Sequence, residues 1–564
     1  MSAIDWIVLC CTILFIVVYG IWKSRGSKNI DGYLLGDRSL PWYHVGLSVM
    51  ATQASAITFL SAPGLAYADG MRFVQFYFGL PIAMIILCIT FVPIYHKLKI
   101  YTAYEFLEQR FDLKTRALTA FLFLIQRGLS TGITIYAPSI ILSTILDINT
   151  TYTTLLIGSV VVIYTVYGGT KAVSFTQMLQ MSIIFAGLFF AGFVVVSLLP
   201  SSVGFTQALD IAGKMGKMNV IDWKFDMNNR YTIWSGIIGG LFLQLSYFGT
   251  DQSQVGRYLT GSSVGQSRMG LLMNAMLKIP MQFLILLIGI LVFAFYQYQK
   301  PPIFFNNYEL NKIKTSAYQE EFKAKEAEFN VAFEEKKVKV IALESALSKK
   351  ENVESASAAV KAANQKLQDK KADALAIMKK NDPKADTDDT NYIFLRFVTQ
   401  YLPQGLVGLL IAIVCMASMG STASALNSLS STTSVDIYKR LIHKDGTDLR
   451  YLNVSKLTTL FWGILSIGMA LFASKLGNLL EAVNILGSLF YGTILGVFLV
   501  AFYLKTVGGK AVFYSALISE VIIFIAFKFD WMAYLWLNLF GCALVISFGL
   551  LIQQFIPAKT LKQV

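Results

Sequence analysis

Long apolar runs constrain this chain more than any other feature, because each is long enough to cross a lipid bilayer as a helix. A bilayer-spanning helix needs about 17–25 mostly apolar residues. Thirteen such runs follow one another, at residues 3–22, 41–68, 73–95, 117–145, 152–168, 174–199, 232–254, 269–297, 402–434, 452–474, 479–503, 511–527 and 531–556. We therefore predict an all-α polytopic membrane protein with about 13 transmembrane helices.

The composition and the first run support this class. Charged residues make up 15% of the 564 residues, against about 25% in soluble domains, and the mean hydropathy is +0.56. The first run starts almost at Met1 and follows no basic segment. A secretory signal peptide begins with a positively charged segment, so we predict that residues 3–22 form a spanning helix.

Positive charge is unevenly distributed between the runs. Thirteen crossings place the termini on opposite sides, and one set of alternate loops, with the C-terminal tail, carries twenty Lys and Arg residues against seven in the opposite short loops. Cytoplasmic loops are the ones enriched in Lys and Arg. We predict a multi-pass protein of the cell (inner or plasma) membrane, with the N-terminus outside and the C-terminus cytoplasmic. The formal net charge is +14. The lysines and arginines that produce it lie at the boundaries of the lipid bilayer and in one insert, so we expect no nucleic-acid partner.

The sequence contains no pattern typical of an enzyme. The three histidines are scattered near the ends of runs, no glycine-rich phosphate loop with its lysine is present, and five cysteines lie inside the runs: Cys10, Cys11, Cys88, Cys415 and Cys542. Cysteines in apolar segments behave as small apolar residues. We therefore expect neither catalysis nor an ATP-driven pump.

A charged insert separates the eighth and ninth runs. Between residues 309 and 380 the chain is rich in Lys, Glu and Ala, and apolar residues recur at spacings of 3, 4 and 7. Such spacings indicate helices with one apolar stripe, interrupted near residues 349–355. We predict a helical hairpin outside the membrane, which acts either as a strut for the outer face or as an arm that binds a protein partner.

Two runs contain polar and small residues where a helix would be interrupted. These are residues 51–64 in the second run and 239–252 in the seventh. Irregular backbone is tolerated inside a membrane only where it lines a cavity, and paired interruptions are typical of inverted-repeat transporters. In the ninth run, one helical face carries Ala417, Ser421, Ser424, Ser428 and Ser431. This face favours either close helix packing or oxygen ligands for a hard cation.

Several short motifs, in this order, resemble the sodium/solute symporter family over about residues 31–555 except the insert. The motifs are Ser55-Ala56 with Phe59, residues 104–111, residues 167–172, Asp251-Gln252 with Arg257, Leu426-Asn427-Ser428 and Asp436-Ile437-Tyr438. Members of this family carry sugars, proline, iodide, pantothenate, monocarboxylates and sialic acid. The resemblance implies a five-plus-five inverted-repeat core with accessory helices and transport by alternating access.

This organisation divides the chain into five parts. We expect an accessory helix with a cytoplasmic loop in residues 1–40 and the first half of the repeat in residues 41–231. The second half occupies residues 232–300 and 395–510. Residues 301–394 form the extracellular or periplasmic insert, and residues 511–564 form accessory C-terminal helices.

The resemblance also implies a sodium ion as the coupling cation and gives its ligands. Carbonyls of Ala51, Ala54 and Ala417 and the hydroxyl of Ser421 match the family's main sodium site. Gly420 stands where many relatives have another serine, so Ser424, Thr422 or water has to replace one oxygen.

A second difference concerns the number of sodium ions. Family members that carry an additional sodium have a Thr-Asp pair, where this chain has Thr176-Gln177. A neutral amide cannot offset a second buried cation, whose desolvation is costly. We therefore expect about one sodium per solute.

Two charged residues inside runs indicate the solute site. Arg127 lies in the fourth run and Lys278 in the eighth, and intramembrane charges are costly enough to indicate function. Alternatives are snorkelling of Arg127 to an interface and satisfaction of Lys278 by backbone carbonyls. The other residues that we expect at the solute are Gln53, Thr58, Gln75, Gln244 and Tyr247.

This set favours an organic anion, such as a monocarboxylate or a sialic acid, because arginine binds carboxylates through two parallel hydrogen bonds. A sodium-coupled carrier of sugars or polyols is the alternative. Two further alternatives are a channel and a non-transporting receptor or scaffold that uses the external hairpin. Sodium-dependent uptake of the solute would distinguish a symporter from both.

Overall fold

The computed structural model describes residues 1–24, 35, 38–146, 148–383, 385–473 and 477–556. Within these ranges the chain folds into helices and contains no β-strand, which confirms the all-α prediction. The predicted loop at residues 25–34 and 36–37 and the tail at residues 557–564 lie outside the described residues. The same holds for the side chains of the motif at residues 167–172.

In the first part of the chain, the described residues form nine α-helices and a short 3-10 helix at Met71–Tyr77. The α-helices are α1 (Ala3–Ser24), α2 (Trp42–Gln53), α3 (Ala56–Asp69), α4 (Leu80–Ile89), α5 (Phe91–Leu98), α6 (Glu105–Arg110), α7 (Leu113–Leu146), α8 (Thr150–Ser197) and α9 (Phe205–Lys214).

In the second part, the described residues form twelve α-helices and two π-helical segments, at Ser235–Gly239 and Thr432–Ile442. The α-helices are α10 (Gly240–Gly249), α11 (Gln252–Tyr258), α12 (Val264–Tyr298), α13 (Asn307–Lys314), α14 (Gln319–Lys349), α15 (Val353–Asn381), α16 (Thr390–Tyr401), α17 (Leu406–Ser431), α18 (Asp448–Ala470), α19 (Leu479–Tyr503), α20 (Gly509–Lys528) and α21 (Tyr534–Phe555).

Among the described residues, eight helices are long and apolar enough to cross a membrane, and nine if the bent pair α2–α3 is one span. Shorter apolar helices lie at Ala3–Ile16, Thr150–Ile163 and Ser235–Gly249. The predicted count of thirteen is therefore not reached by length and composition alone. The predicted helix boundary between the fifth and sixth runs is wrong, because α8 is continuous over 48 residues. That segment contains no proline, the residue that most strongly breaks a helix.

The predicted interruption in the second run is present as a bend of 59° between α2 and α3. Ala54 (φ −83°, ψ 76°) and Ser55 (φ −81°, ψ 174°) leave the helical conformation there. The seventh run is interrupted at Thr250 and Asp251, between α10 and α11. Each break leaves carbonyl groups of the preceding turn without a helical donor, so both breaks supply polar backbone inside the core.

The insert forms two long helices, α14 and α15, joined by a tight turn. Lys350 and Asn352 adopt positive φ values of 57° and 55° in this turn. The facing apolar stripes bury Phe329, Phe333 and Leu367. These side chains share a small core with Ile303 and Phe304 from the segment that enters the insert.

Candidate functional site

A cavity of about 80 Å³ opens at the bend between α2 and α3, and we call it the central cavity. Its walls come from this bend, from the 3-10 helix at Met71–Tyr77 and from parts of α7, α10 and α19, and they combine polar and apolar side chains. The lining residues are Gln53, Ser55, Ile57, Thr58, Phe76, Tyr77, Arg127, Leu243, Tyr247, Leu480, Val483, Asn484 and Tyr491. Of the seven predicted solute residues, four therefore line one cavity.

Arg127 is held in place by an ion pair with Asp251, which lies at the break before α11. Asp251 is 1% exposed and also accepts hydrogen bonds from Tyr491 Oη (2.9 Å) and from the Ser253 backbone N (2.8 Å). The guanidinium carbon of Arg127 lies 5.4 Å from the centre of the Tyr247 ring. Arg127 is thus a buried, paired residue, and the alternative of snorkelling to an interface does not apply.

The ion pair leaves part of Arg127 available to a ligand. One guanidinium nitrogen binds Asp251, while Nε has no hydrogen-bond partner in the part of the chain that the structure describes. Asp251 itself is not among the residues that line the central cavity. The cavity wall therefore carries one cation and no carboxylate. A buried nitrogen without a partner is costly, and a ligand or water in the cavity would satisfy it.

Gln53 and Gln244 meet at the edge of the central cavity. Gln53 Nε2 donates to Gln244 Oε1 over 3.5 Å, while Gln53 Oε1 and Gln244 Nε2 have no partner. Native structures leave few buried polar atoms unsatisfied, and each such atom needs an explanation. These two amides offer one acceptor and one donor to a polar solute.

Gln75 and Lys278, like Gln244, are not among the residues that line the central cavity. Gln75 is fully buried and bonds to backbone atoms of Arg72 (3.2 Å), Tyr231 (3.0 Å) and Asp222 (3.0 Å). It therefore fixes the loop before the π-helical segment at Ser235–Gly239, a structural role that its polarity alone does not reveal.

Lys278 lies behind the wall of the central cavity. Its side chain is fully buried, and its Nζ has no hydrogen-bond partner, so backbone carbonyls do not satisfy it. The Nζ lies 5.5 Å from the centre of the Tyr77 ring, and Tyr77 lines the cavity.

The predicted sodium ligands lie on two helices that pack together, Ala51 and Ala54 at the end of α2 and Ala417 and Ser421 on α17. Ala51, Ala54, Ala417 and Ser421 are all buried. The side-chain oxygens of Thr52 and Ser424 approach to 3.3 Å at this junction. Sodium is a hard cation, and such ions take oxygen ligands. Freed carbonyls of α2 and hydroxyls of α17 are therefore suitable ligands.

The structure separates the two candidates for the oxygen missing at Gly420. Thr422 Oγ1 faces α7, where it contacts Thr134 Oγ1 at 3.1 Å. Ser424 faces α2 and donates to the Gly420 carbonyl over 2.9 Å. A Cβ atom at Gly420 would lie 2.8 Å from Gln180 Oε1, so a serine at this position would require Gln180 to move.

Gln177 links α8, α2 and α17 in a buried polar network. Its Oε1 accepts from Ser48 Oγ over 2.6 Å. Its Nε2 donates to Thr52 Oγ1 (3.3 Å), Gly420 O (3.2 Å) and Ser424 Oγ (3.1 Å). The amide nitrogen of Gln177 thus lies within hydrogen-bond distance of three oxygens.

An ion-pair network joins two of the sequence motifs, the one at residues 104–111 and the one at Asp436-Ile437-Tyr438. Arg116 pairs with Asp436 (2.6 Å) and with Glu108 (2.7 Å), and Glu108 also pairs with Arg440. Thr102 Oγ1 donates to Asp436 over 2.7 Å. These contacts connect the α6–α7 segment to the π-helical segment that follows α17.

Sequence reasoning missed Asp251, Tyr491 and Asn484 as parts of the site. Asp251 was visible as a carboxylate at the end of an apolar run, and a buried charge requires a partner. Its pairing with Arg127 spans 124 positions, so no local pattern indicates it.

A model of the sodium:solute symporter family matches residues 33–306 and 372–519, which leaves most of the hairpin outside the match. The human sodium/iodide cotransporter is 30% identical over 301 residues, covering 52% of this chain and 46% of that protein. The Xenopus laevis sodium-coupled monocarboxylate transporter 1 is 33% identical over 275 residues, covering 48% and 43%. The Vibrio parahaemolyticus sodium/glucose cotransporter is 31% identical over 309 residues, covering 52% and 56%. The chain thus spans about half the length of these curated relatives.

The fold resembles that of a sodium-coupled sialic acid symporter solved in a substrate-bound outward-open state. The TM-score is 0.77 at 22% sequence identity, and the alignment covers 100% of both chains. A likeness at this identity establishes the fold of the helical core, which agrees with the many apolar helices described above.

Proposed function

Because the chain belongs to the sodium:solute symporter family, we propose that it is a sodium-coupled symporter that imports a small organic anion by alternating access. It is a multi-pass membrane protein with no expected enzymatic activity. One sodium ion accompanies each solute in this proposal.

The observation that carries the choice of solute is the charge of the central cavity. Arg127 contributes a cation with an unsatisfied Nε, and no carboxylate lines the wall. Hydrogen bonds to charged groups contribute about 1.5–3 kcal/mol each, so an anion gains more at Arg127 than a neutral solute does. Asp251 holds the guanidinium from behind, which fixes its orientation before the solute arrives.

A neutral sugar or polyol is the second candidate, and a specific observation favours it. The unsatisfied amide atoms of Gln53 and Gln244 suit hydroxyl groups, and Asp251 already neutralises Arg127. A third candidate function is that of a non-transporting receptor or scaffold that uses the hairpin.

The sodium site in this proposal consists of the carbonyls of Ala51, Ala54 and Ala417 and the hydroxyl of Ser421. The contact between Thr52 and Ser424 supports it, because this contact brings the broken end of α2 against α17. In this proposal Ser424, whose Oγ lies 3.3 Å from Thr52 Oγ1, supplies the oxygen that Gly420 lacks.

The experiment that tests this function is a thermal-stability screen of the purified protein. Sodium chloride and choline chloride are compared at equal ionic strength, each with monocarboxylates, sialic acid, sugars and polyols. We expect stabilisation by sodium, and a further, sodium-dependent increase with one of the anions. An increase with sugars or polyols alone would favour the second candidate.

We expect a coupling ratio near one sodium per solute in the wild type, because the Gln177 amide occupies the space among Thr52, Gly420 and Ser424. Gln177→Asp places a carboxylate beside these oxygens and should raise the ratio towards two. Reversal potentials of solute flux in proteoliposomes give the ratio. A wild-type value near two would show that the hydroxyls build a second site without an acid.

We propose that the protein lies in the cell membrane with its N-terminus outside and its C-terminus cytoplasmic, which places the hairpin outside. Several contacts join the hairpin to the core and support its role as a strut. Tyr298 Oη donates to Glu344 Oε2 (2.9 Å), Ser357 Oγ donates to Lys214 O (3.1 Å), and Lys371 pairs with Asp389 (2.8 Å). A protein partner for residues 309–380 is the alternative role.

Deletion of residues 312–380, with the ends joined by a flexible linker, should leave sodium-driven uptake measurable. None of the residues assigned to sodium or to the solute lies in this segment. Thermal stability should fall, because the deletion exposes Ile303 and Phe304, which are buried against the hairpin. Uptake and the melting temperature are measured on protein that elutes as a single species. Loss of both sodium and solute binding in such a folded variant would make the hairpin part of the transport machinery.

A further inference from the structure

A second cavity, of about 260 Å³, lies where the hairpin meets the core, and we call it the hairpin cavity. Its walls come from α3, the loop after α9, α12, both hairpin helices and the start of α16. Three lysines from different segments reach it: Lys217 from the core, Lys336 from α14 and Lys371 from α15. It shares no lining residue with the central cavity.

Lys336 is the most unusual of the three. It is 3% exposed, and burial is the one influence that shifts its pKa, with no contribution from a paired group among the described residues. The nearest aromatic group is the Phe333 ring, whose centre lies 5.3 Å from Nζ. An unpaired buried charge costs several kcal/mol, and chains rarely bury a lysine without pairing it. A missing anionic partner would account for this arrangement.

The other charged groups of the cavity leave a surplus of positive charge. Lys371 pairs with Asp389 at 2.8 Å. Lys217 donates to the Ala68 carbonyl, and its Nζ lies 5.2 Å from the centre of the Phe293 ring. Burial lowers the pKa of Lys217. Asp389 is the one carboxylate in the lining, and Asp69 lies close enough to Lys217 to oppose the lowering of its pKa. Two carboxylates thus act on three lysines, and Lys336 is the lysine without one.

We propose that the hairpin cavity binds a small oxyanion, a carboxylate or phosphate group, with Lys336 as its central ligand. Asn364 and Gln368 also line the cavity and offer amide donors. Both Lys336 and Lys371 lie in residues 307–371, outside the segments that match the family model. The site therefore belongs to the insert, and it is separate from the proposed path of the transported solute.

The oxyanion could come from a soluble ion or from a lipid headgroup, since the cavity lies at the end of the apolar helices α3 and α12. The test uses the full-length protein in nanodiscs of neutral phosphatidylcholine, titrated with succinate or inorganic phosphate against chloride at equal sodium and ionic strength. A parallel set of nanodiscs contains phosphatidylglycerol. The melting temperature reports binding.

We expect saturable stabilisation by one of the probes. Stabilisation by succinate or phosphate identifies a soluble anion as the ligand, and stabilisation by phosphatidylglycerol alone identifies a lipid headgroup. Lys336→Met should weaken this response at least tenfold while keeping stabilisation by sodium, which shows that the variant is folded. Lys339→Met is the matched control, because Lys339 lies on the same helix and is exposed. It should behave as the wild type.

Three results would overturn the proposal. The first is no response to any of the three probes. The second is an equal response in the wild type and in Lys336→Met. The third is a response to succinate that survives Lys336→Met but is lost in Arg127→Lys, which would place the anion in the central cavity.

The pH dependence supplies a further readout. Burial lowers the pKa of Lys336 to about 7, so in the empty site this lysine is charged below pH 7 and neutral above it. The other titratable groups that line the cavity are Lys217, Lys371, Asp389 and Tyr67. An anion binds the charged form, so the apparent Kd for succinate should rise about tenfold or more from pH 6 to pH 8.5 in the wild type. In Lys336→Met this rise should disappear, and its persistence would contradict the role of Lys336.

Discussion

Arg127→Lys should weaken solute binding at least tenfold and change sodium binding less than twofold. Lysine keeps the positive charge that Asp251 requires, but it lacks the planar group that binds two carboxylate oxygens at once. Loss of one charged hydrogen bond costs about 1.5–3 kcal/mol, which corresponds to a tenfold or greater loss of affinity. The measurement is a solute titration of purified protein in saturating sodium, followed by a sodium titration without solute.

The choice of lysine over alanine matters here. Removal of the cation would leave Asp251 buried and unpaired at about 1% exposure, and such a change destabilises a protein by about 3–5 kcal/mol. Lys278→Arg is the control, because it also exchanges one buried cation for another. It should affect the solute less, since Tyr77 separates Lys278 from the cavity. If Arg127→Lys leaves the affinity for the solute unchanged and Gln244→Leu abolishes solute binding, the solute is a neutral sugar or polyol.

Ser421→Ala should raise the sodium concentration for half-maximal uptake by about 5- to 150-fold. Removal of one buried oxygen ligand costs on the order of 1–3 kcal/mol, and this range of free energy corresponds to that range of affinity. Ser421 Oγ donates its hydrogen to Ser418 O over 3.1 Å, which leaves its lone pairs available to a cation. Initial rates of uptake over a range of sodium concentrations provide the measurement.

Ser418→Ala is the matched control for this prediction. Ser418 lies on the same helix, but its hydroxyl donates to Thr134 O on α7 over 2.7 Å. Its removal should leave the sodium dependence within about twofold. Equal effects of the two substitutions would mean that packing of α17, and not ion coordination, determines the sodium response.

The helices of this protein were largely predictable because a bilayer requires each crossing segment to satisfy its own backbone hydrogen bonds. The bend in the second run followed from polar and small residues, since Ala54 and Ser55 interrupt an apolar helix. The continuity of α8 did not follow, because Gly168-Gly169 and Lys171 suggested a loop. Glycine only weakens a helix, whereas proline breaks it.

The candidate site was predictable only in part, because its contacts join distant segments. Arg127 stood out as an intramembrane charge, but its partner Asp251 lies beyond three intervening helices. Gln75 and Gln53 look alike as isolated amides in apolar runs, and only the three-dimensional structure separates the loop-fixing role of Gln75 from the cavity wall at Gln53. Lys336 looked like one of many charges on the hairpin, although it is buried.

The most direct test of the central claim is uptake by sealed proteoliposomes that contain the purified protein and start with equal solute inside and outside. An inward sodium gradient is imposed, with choline replacing sodium in the control. A symporter should accumulate the solute above its external concentration only while the sodium gradient lasts, and dissipation of the gradient should release it. Accumulation that is equal in choline would contradict sodium coupling, and no accumulation of any solute that binds would contradict transport itself.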